Sequence, residues 1–445
     1  MLTRRCVVHV ASLVLVGLPA ISPVQGQTAA DSAIADSTII VARSLFGNYK
    51  RADGSLVSVG RGVQSVFLMD YRTGERDDLR LGRADTIVDP ARGMATLSLQ
   101  MTGSDTVLSI RGSRATWTAT RLLLTRTDVT FQNGGVTLSG TLWEPVSRGP
   151  FPAIVLLHGA GEETRYAMRQ YPYFFVSRGY AVLTYDKRGS GKSTGDWHPW
   201  VAGIDVLSGD AAAAVELLRN QHEIRADRVG LLGISNGAWV AVRTATHTDN
   251  VAFVIPIVGG GGSLWGQELY RIHNEGRTHD LSKPDEAALD HFMSSLYSAE
   301  LFDSLPRGAA IVKLDSLRAS AKGAAWFAET PLAVFGDTPS TSLFDVGREA
   351  WRRELSYDAN ADLRSLRQPM LAILGGADQD VPSASVAAQL RGNYPHAGAD
   401  HRTILIIPGA SHYLLLRSDA RRPTVDRFDP LLFTTLTRWL TAEAR

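Results

Sequence analysis

Apolar and polar positions along this chain follow two rhythms, and the change falls near residue 150. Between residues 40 and 127 the apolar runs are short and alternate with polar positions, as in "NYKRADGSLVSV", "SVFLMDYRTGERDDLRL", "ATLSLQM" and "TVLSIRG". Asp53-Gly54 and Thr73-Gly74 supply turn signals between them. A period of two broken by such turns predicts antiparallel strands, and no long 3.6-residue period interrupts them. Residues 27–127 therefore read as a small antiparallel, all-β domain. "DVTFQNGGVTLSGTLWEP" adds a hairpin turning at Asn133-Gly134-Gly135 and opens a second domain, 128–445.

Beyond residue 150 the apolar runs become continuous. "PAIVLLH", "YAVLTYD", "RVGLLGIS", "VAFVIPIVG", "PMLAILGGAD" and "RTILIIPGASH" have the composition of strands buried on both faces of a mostly parallel sheet. Helical patterns separate them: "YAMRQYPYFFVSRG", "VLSGDAAAAVELLRN", "NGAWVAVRTATH", "SASVAAQLRGN" and a closing "PLLFTTLTRWLTAEA". That alternation predicts an α/β sheet with helices on both faces. Residues 263–362 break it. They are helix-like, carry Trp265, Tyr270, Trp326, Phe327 and Trp351, and are too long for a connection, which predicts an inserted helical cap.

The first 26 residues stand apart from either rhythm. Arg4 and Arg5 precede the apolar run "CVVHVASLVLVGL" and the small-residue site "VQG", a pattern expected of a cleaved signal peptide and hence of a periplasmic or secreted protein. The only cysteine, Cys6, would leave with it, so no disulfide, thiol nucleophile or thiolate metal site is expected in the mature chain. The formal charge of +1 over 445 residues gives no field for nucleic acid or an anionic membrane. No stable membrane insertion is expected once the leader is gone.

Two motifs compete to carry chemistry. "DKRGSGKSTG" (186–195) contains the back half of a phosphate-binding loop, but Asp186 stands where its first glycine belongs, and a carboxylate there repels phosphate. "GISNG" (233–237) fits G-x-S-x-G and lies between an apolar strand and a helix. A turn that sharp needs small residues two before and two after, and it lifts the Ser235 hydroxyl above the sheet edge. A serine nucleophile needs a base, and the base a carboxylate, in the chain order Ser, acid, His. Asp378 and His412 answer, each after a later buried strand, with Asp380 as an alternative acid. Donors for an oxyanion are expected from the N–H of Asn236 and from the loop "HGAG", with Ala160 or else Gly159. His158 is expected to be structural.

With "LLHGAG", "YDKRGSGKSTG", "GISNG", "GGADQDVP" and "GASH" in this order, residues 128–445 resemble the α/β-hydrolase superfamily. The resemblance implies Ser235, Asp378 and His412 as nucleophile, acid and base. Its acid motif G-x-x-D-x-x-V-P selects Asp378 over Asp380. The N-terminal β domain with a signal peptide further resembles exported bacterial carboxylesterases and, more loosely, peptidases of the prolyl-oligopeptidase type, although residues 27–127 carry no motif of either. The leading expectation is an exported serine hydrolase acting on small carboxylic esters without cofactor or metal. A peptidase with the same triad is the alternative; Glu162-Glu163 beside the oxyanion loop is read as a solvated loop in preference to an amine anchor for it. A silent binding protein and a metal-dependent hydrolase using His273, His279, Asp280 and His291 are further readings; the latter lacks H-E-x-x-H.

Overall fold

The computed structural model describes residues 29–443, apart from 84–85, 93, 114–115, 200, 279–280, 297, 325, 328–337, 395–401 and 417–425. The signal peptide expected over residues 1–26 lies outside the described residues, as do His279 and Asp280.

Among the described residues, eight strands run through the first domain: β1 (Gly47–Lys50), β2 (Leu56–Arg61), β3 (Val66–Asp70), β4 (Glu75–Leu81), β5 (Ile87–Asp89), β6 (Ala95–Thr102), β7 (Asp105–Arg111) and β8 (Thr116–Leu122). They pair antiparallel in the order β4-β3-β2-β1-β8-β7-β6-β5, and Arg80↔Val88 joins β5 back to β4. The sheet is thus a closed barrel, which satisfies strand edges without a second layer. Alternation sorts β3 cleanly: Val66 and Leu68 point into the barrel core, while Phe67 and Met69 point outward into the core of the second domain.

The barrel fits the small antiparallel β domain that the pattern suggested, with one helix added. Helix α1 (Ala29–Ala42) leads into it and packs against β3, β4 and β5. Its end, Thr38-Ile39-Ile40-Val41, is a run of β-branched residues with no helical spacing. Ile39 and Ala42 are buried in the barrel core, so packing rather than propensity holds the helix.

The second sheet holds β9 (Leu124–Asn133), β10 (Val136–Pro145), β11 (Phe151–Leu157), β12 (Ala181–Tyr185), β13 (Ile224–Ile234), β14 (Val254–Ile257), β15 (Met370–Gly375) and β16 (Arg402–Ile407). Their order is β16-β15-β14-β13-β11-β12-β10-β9. The sheet is mixed: β10 is antiparallel to β9 and β12, and the pairings from β12 through β16 are parallel.

Helices fill the connections. The stretch "YAMRQYPYFFVSRG" is not one helix: it is a 3-10 turn at Arg165–Met168 and a short α2 (Tyr171–Val176), broken at Arg169, where φ is +43°. Next come α3 (Ile204–Arg219) and α4 (Asn236–His247). Between β14 and β15 lies a helical insertion: α5 (Leu264–Thr278), α6 (Lys283–Leu296), α7 (Arg307–Ala321), α8 (Ser340–Ala350) and α9 (Asn360–Ser365), with π-helical turns at Glu300–Ser304 and Trp351–Leu355. Its aromatics Phe292, Phe302, Trp326, Phe344 and Trp351 form a core of its own. Then follow α10 (Ser383–Asn393) and α11 (Pro430–Glu443).

Each sheet face has its own core. Val155 and Leu157 of β11 face α3, α4 and α10 on one side. Ile154 and Leu156 face α2, α11 and the outer wall of the barrel on the other. The end of the chain returns to the barrel through β17 (Leu415–Leu416) and β18 (Asp426–Phe428), with β18 pairing antiparallel to β4.

Candidate active site

The sheet edge where β13, β15 and β16 end gathers the chemistry. β13 runs into Ser235, whose φ of 54° and ψ of −122° are strained for a residue with a Cβ, and α4 begins at the next residue. Glycine makes this turn possible. A Cβ on Gly233 would strike the carbonyl of Gly237, and a Cβ on Gly237 would strike that of His158.

The loops after β15 and β16 are tied to each other. Gly376 N–H donates to Ile407 O and Ala377 N–H to Ala410 O, both at 2.8 Å. They present Asp378 and His412 to Ser235. Ser235 Oγ lies 3.0 Å from His412 Nε2, and His412 Nδ1 lies 3.0 and 3.2 Å from the two carboxylate oxygens of Asp378. A carboxylate only accepts, so Nδ1 carries the proton and Nε2 is left to accept from the Ser235 hydroxyl. Asp378 is buried, and its Oδ1 also accepts the N–H groups of Asp380 and Val381 at 2.8 and 2.9 Å. Asp380 Oδ2 stands 3.9 Å from His412 Nδ1, beyond hydrogen-bond reach. Burial opposes a charged His412, but the hydrogen bond and charge of Asp378, helped by Asp380, raise its pKa above the ordinary value. This cluster is the group of three metal-capable side chains found among the described residues, and its donors are engaged with one another and with Ser235. His273 is paired with Asp290 at 2.5 Å.

On the other side of Ser235, Asn236 and Ala160 line one small cleft with Gly161, Lys187, Trp197 and Glu354. The N–H of Gly159 already donates to Glu163 Oε2 at 3.0 Å, so it is engaged within its own loop. His158 is buried with Nε2 2.5 Å from the Tyr185 carbonyl. Burial, with the charge of Lys187, pushes its pKa down to about 3, so it is neutral and holds the loop in place. Trp197 reaches the cleft; His198 stacks on it at 4.2 Å and is held by Asp196.

The sequence reading missed a buried charged group beside this cleft. Lys187 Nζ donates to Gly159 O at 2.8 Å, and Glu354 Oε1 accepts from Asn236 Nδ2 at 2.7 Å. Burial raises Glu354 to about 7, against the charge of Lys187 and the Asn236 hydrogen bond. Burial likewise lowers Lys187 and raises Glu163. Glu163 is therefore a support of the loop, not a solvated residue. Lys187 directly follows a buried strand, a position from which a charge can point into a site. Glu354 carried no signal, since it reaches Asn236 from 118 residues away, out of the insertion.

"DKRGSGKSTG" is scaffolding for the same edge. Asp186 takes a two-pronged pair from Arg165, Nε to Oδ1 at 3.1 Å and Nη2 to Oδ2 at 2.9 Å, and accepts Lys192 N–H at 3.0 Å. Burial works against the Asp186 charge, but these bonds hold its pKa below the ordinary value. Arg188 pairs instead with Asp210 of α3, at 2.5 and 2.7 Å. A Cβ on Gly191 would meet the Asp186 carboxylate at 2.6 Å, so the loop is closed around its own aspartate, and Lys192 is exposed.

A family model described as X-Pro dipeptidyl-peptidase (S15 family) matches residues 134–410. Over 130 residues the chain is 32% identical to the quorum-quenching protein AidA of Acinetobacter baumannii, covering 29% of this chain and 42% of that one. Over 128 residues it is 32% identical to the esterase EstD of Thermotoga maritima, covering 27% and 30%. Each of these curated relatives is matched over less than half its length. Among solved structures, a Pyrococcus furiosus esterase aligns at 18% identity and a TM-score of 0.45, covering 72% of this chain and 91% of that one.

Proposed function

This chain belongs to the X-Pro dipeptidyl-peptidase (S15) family of α/β-hydrolases and is a hydrolase; on that premise we propose that it is an exported serine hydrolase cleaving carboxylic esters through an acyl-enzyme. The observation that carries this reading is the 3.0 Å approach of His412 Nε2 to Ser235 Oγ at a strained strand-to-helix turn. Ser235 Oγ attacks the ester carbonyl carbon while His412 Nε2 takes its proton. The N–H groups of Asn236 and Ala160 stabilise the oxyanion. The tetrahedral adduct collapses, the leaving alcohol takes the proton from His412, and the acyl group stays on Ser235. Water then attacks the acyl-enzyme with His412 again as base and releases the acid. Asp378 holds the imidazole tautomer and stabilises the imidazolium. No step calls for a cofactor or metal. The helical insertion serves as a cap whose π-helical turn brings Glu354 to the cleft.

A peptidase using the same groups is the second reading. The family match favours it, as does the buried carboxylate of Glu354 lining the cleft. The discriminating experiment compares p-nitrophenyl esters of graded acyl length with aminoacyl-prolyl p-nitroanilides, using Ser235→Ala as control. The ester reading expects ester turnover to dominate and to vanish in the variant. Anilide turnover far above ester turnover would instead establish the peptidase. Export is tested by N-terminal sequencing of the protein from a periplasmic or secreted fraction, where a start near Gln27 is expected and an intact Met1 is not.

A further inference from the structure

We propose that the N-terminal barrel is a positioning element for catalysis, holding His412 and the oxyanion loop in register from one side of the sheet. This rests on the reading of His412 as the base.

His412 lies in a tight turn closed by Ser411 N–H donating to Leu415 O at 2.9 Å, with Leu414 at a φ of +58°. The next two residues are β17, which pairs with β18 through Leu415↔Phe428 and Leu416↔Arg427. Strands of two and three residues have no stability of their own. What anchors them is the barrel: Arg427 and Asp426 pair with Glu75 and Arg76 of β4, and Phe428 N–H donates to Gly74 O at 2.8 Å. Phe428 is buried in the core that the barrel wall shares with the sheet. Only two residues, Tyr413 and Leu414, separate His412 from a strand whose partner is an extension of the barrel.

The barrel holds the opposite loop as well. Tyr71 Oη donates to Gln170 O at 3.0 Å, and Asn48 Nδ2 to Tyr173 O at 2.8 Å. The Arg61 guanidinium sits 4.0 Å above the Tyr166 ring. These contacts fall on the 3-10 turn, on α2 and on Gln170 just before α2, directly after the loop of Ala160, and that turn carries the Arg165 that holds Asp186. Catalytic geometry tolerates little displacement: 1 Å can cost about 100-fold in rate. A wall that fixes both loops sets the distance between base, nucleophile and oxyanion donors.

Gly74 is the point at which to loosen it. Its φ is +77°, and a Cβ there would run into the Phe428 carbonyl. Gly103, in the turn between β6 and β7, has a φ of +62° and nothing within 4 Å of a Cβ, so Gly103→Ala adds similar backbone strain without the collision. The full chain carrying Gly74→Ala, Gly103→Ala or Phe428→Leu is compared with wild type on p-nitrophenyl acetate. The burst amplitude counts competent sites, and kcat is expressed per titrated site. A merely structural barrel would lower the number of sites and leave each one normal. Positioning instead lowers kcat per site about tenfold or more in Gly74→Ala, with KM within about twofold. The acid limb of the pH profile moves down as His412 loses Asp378, and Gly103→Ala matches wild type. Phe428→Leu, a gentler change, shows the same signature at smaller size and serves if Gly74→Ala does not fold. Wild-type kcat per site and an unmoved acid limb in the folded variants overturn the proposal, as does equal impairment by Gly103→Ala. Failure of the triad reading is seen separately, as a burst that survives Ser235→Ala.

Discussion

Replacing Glu354 by glutamine should stabilise the protein in mild alkali and do little in mild acid. Glu354 is buried beside Asn236 and Lys187, and burial raises it from 4.5 to about 7. The unfolded chain therefore ionises near 4.5, while the folded chain keeps its proton until about pH 7. Between those values the folded state binds more protons, so stability falls as pH rises through the window. Each pH unit of separation is worth about 1.4 kcal/mol, so above pH 7 the ionised carboxylate costs the fold about 3 kcal/mol. A glutamine side chain has the same shape, keeps an oxygen for Asn236 Nδ2 and never ionises. Lys187 loses one counter-charge but keeps Glu163 nearby, which reduces the net gain without changing its direction with pH. Urea unfolding followed by tryptophan fluorescence at about pH 5, near the acid end of the window, and about pH 8, beyond its alkaline end, reads the effect. The stability of Glu354→Gln relative to wild type should rise by roughly 2–3 kcal/mol between the two. A difference that stays flat, or that grows toward acid, would refute the assignment of Glu354 as a carboxylate carried at a cost.

The ester hydrolysis rate should fall as pH drops through the pKa of His412, because protonation removes the base. Since Asp378 raises that pKa, the midpoint of the acid limb of kcat/KM should lie above the ordinary histidine value. Asp378→Asn should lower kcat by about 10⁴-fold with small change in folding, because the imidazole loses its tautomer and its counter-charge; a loss under tenfold would assign the acid's role to Asp380. Arg165→Met strands the buried Asp186 carboxylate and should cost about 3–5 kcal/mol in denaturant titration, whereas an unchanged midpoint would show that the Gly-rich loop needs no such brace.

Much of this was legible because strand ends on an α/β sheet converge. Ser235, Asp378 and His412 each follow a continuous apolar run, and parallel strands bring such positions to one edge. Gly233 and Gly237 marked the turn, since only hydrogen fits where their side chains would point. Helix α1 was illegible because its β-branched end resembles a strand and only contact with the barrel makes it a helix. β17 and β18 were illegible for a related reason: such short segments pair because β4 is there to receive them. Glu354 could not be foreseen, because its place beside Asn236 depends on how the insertion folds back across the sheet. Local pattern located the three side chains that meet at this sheet edge. The long-range supports around them are tertiary, from the Arg165–Asp186 pair to the seam with the barrel.

The central claim is that Ser235 is the residue on which the acyl group rests. Rapid acid quench of the enzyme during turnover of a p-nitrophenyl ester, followed by proteolysis and mass spectrometry, tests it directly. An acyl adduct should appear on the peptide containing Gly233–Gly237, and it should be absent from Ser235→Ala. Turnover by wild type with no adduct on that peptide, or an adduct that persists in the variant, would contradict it.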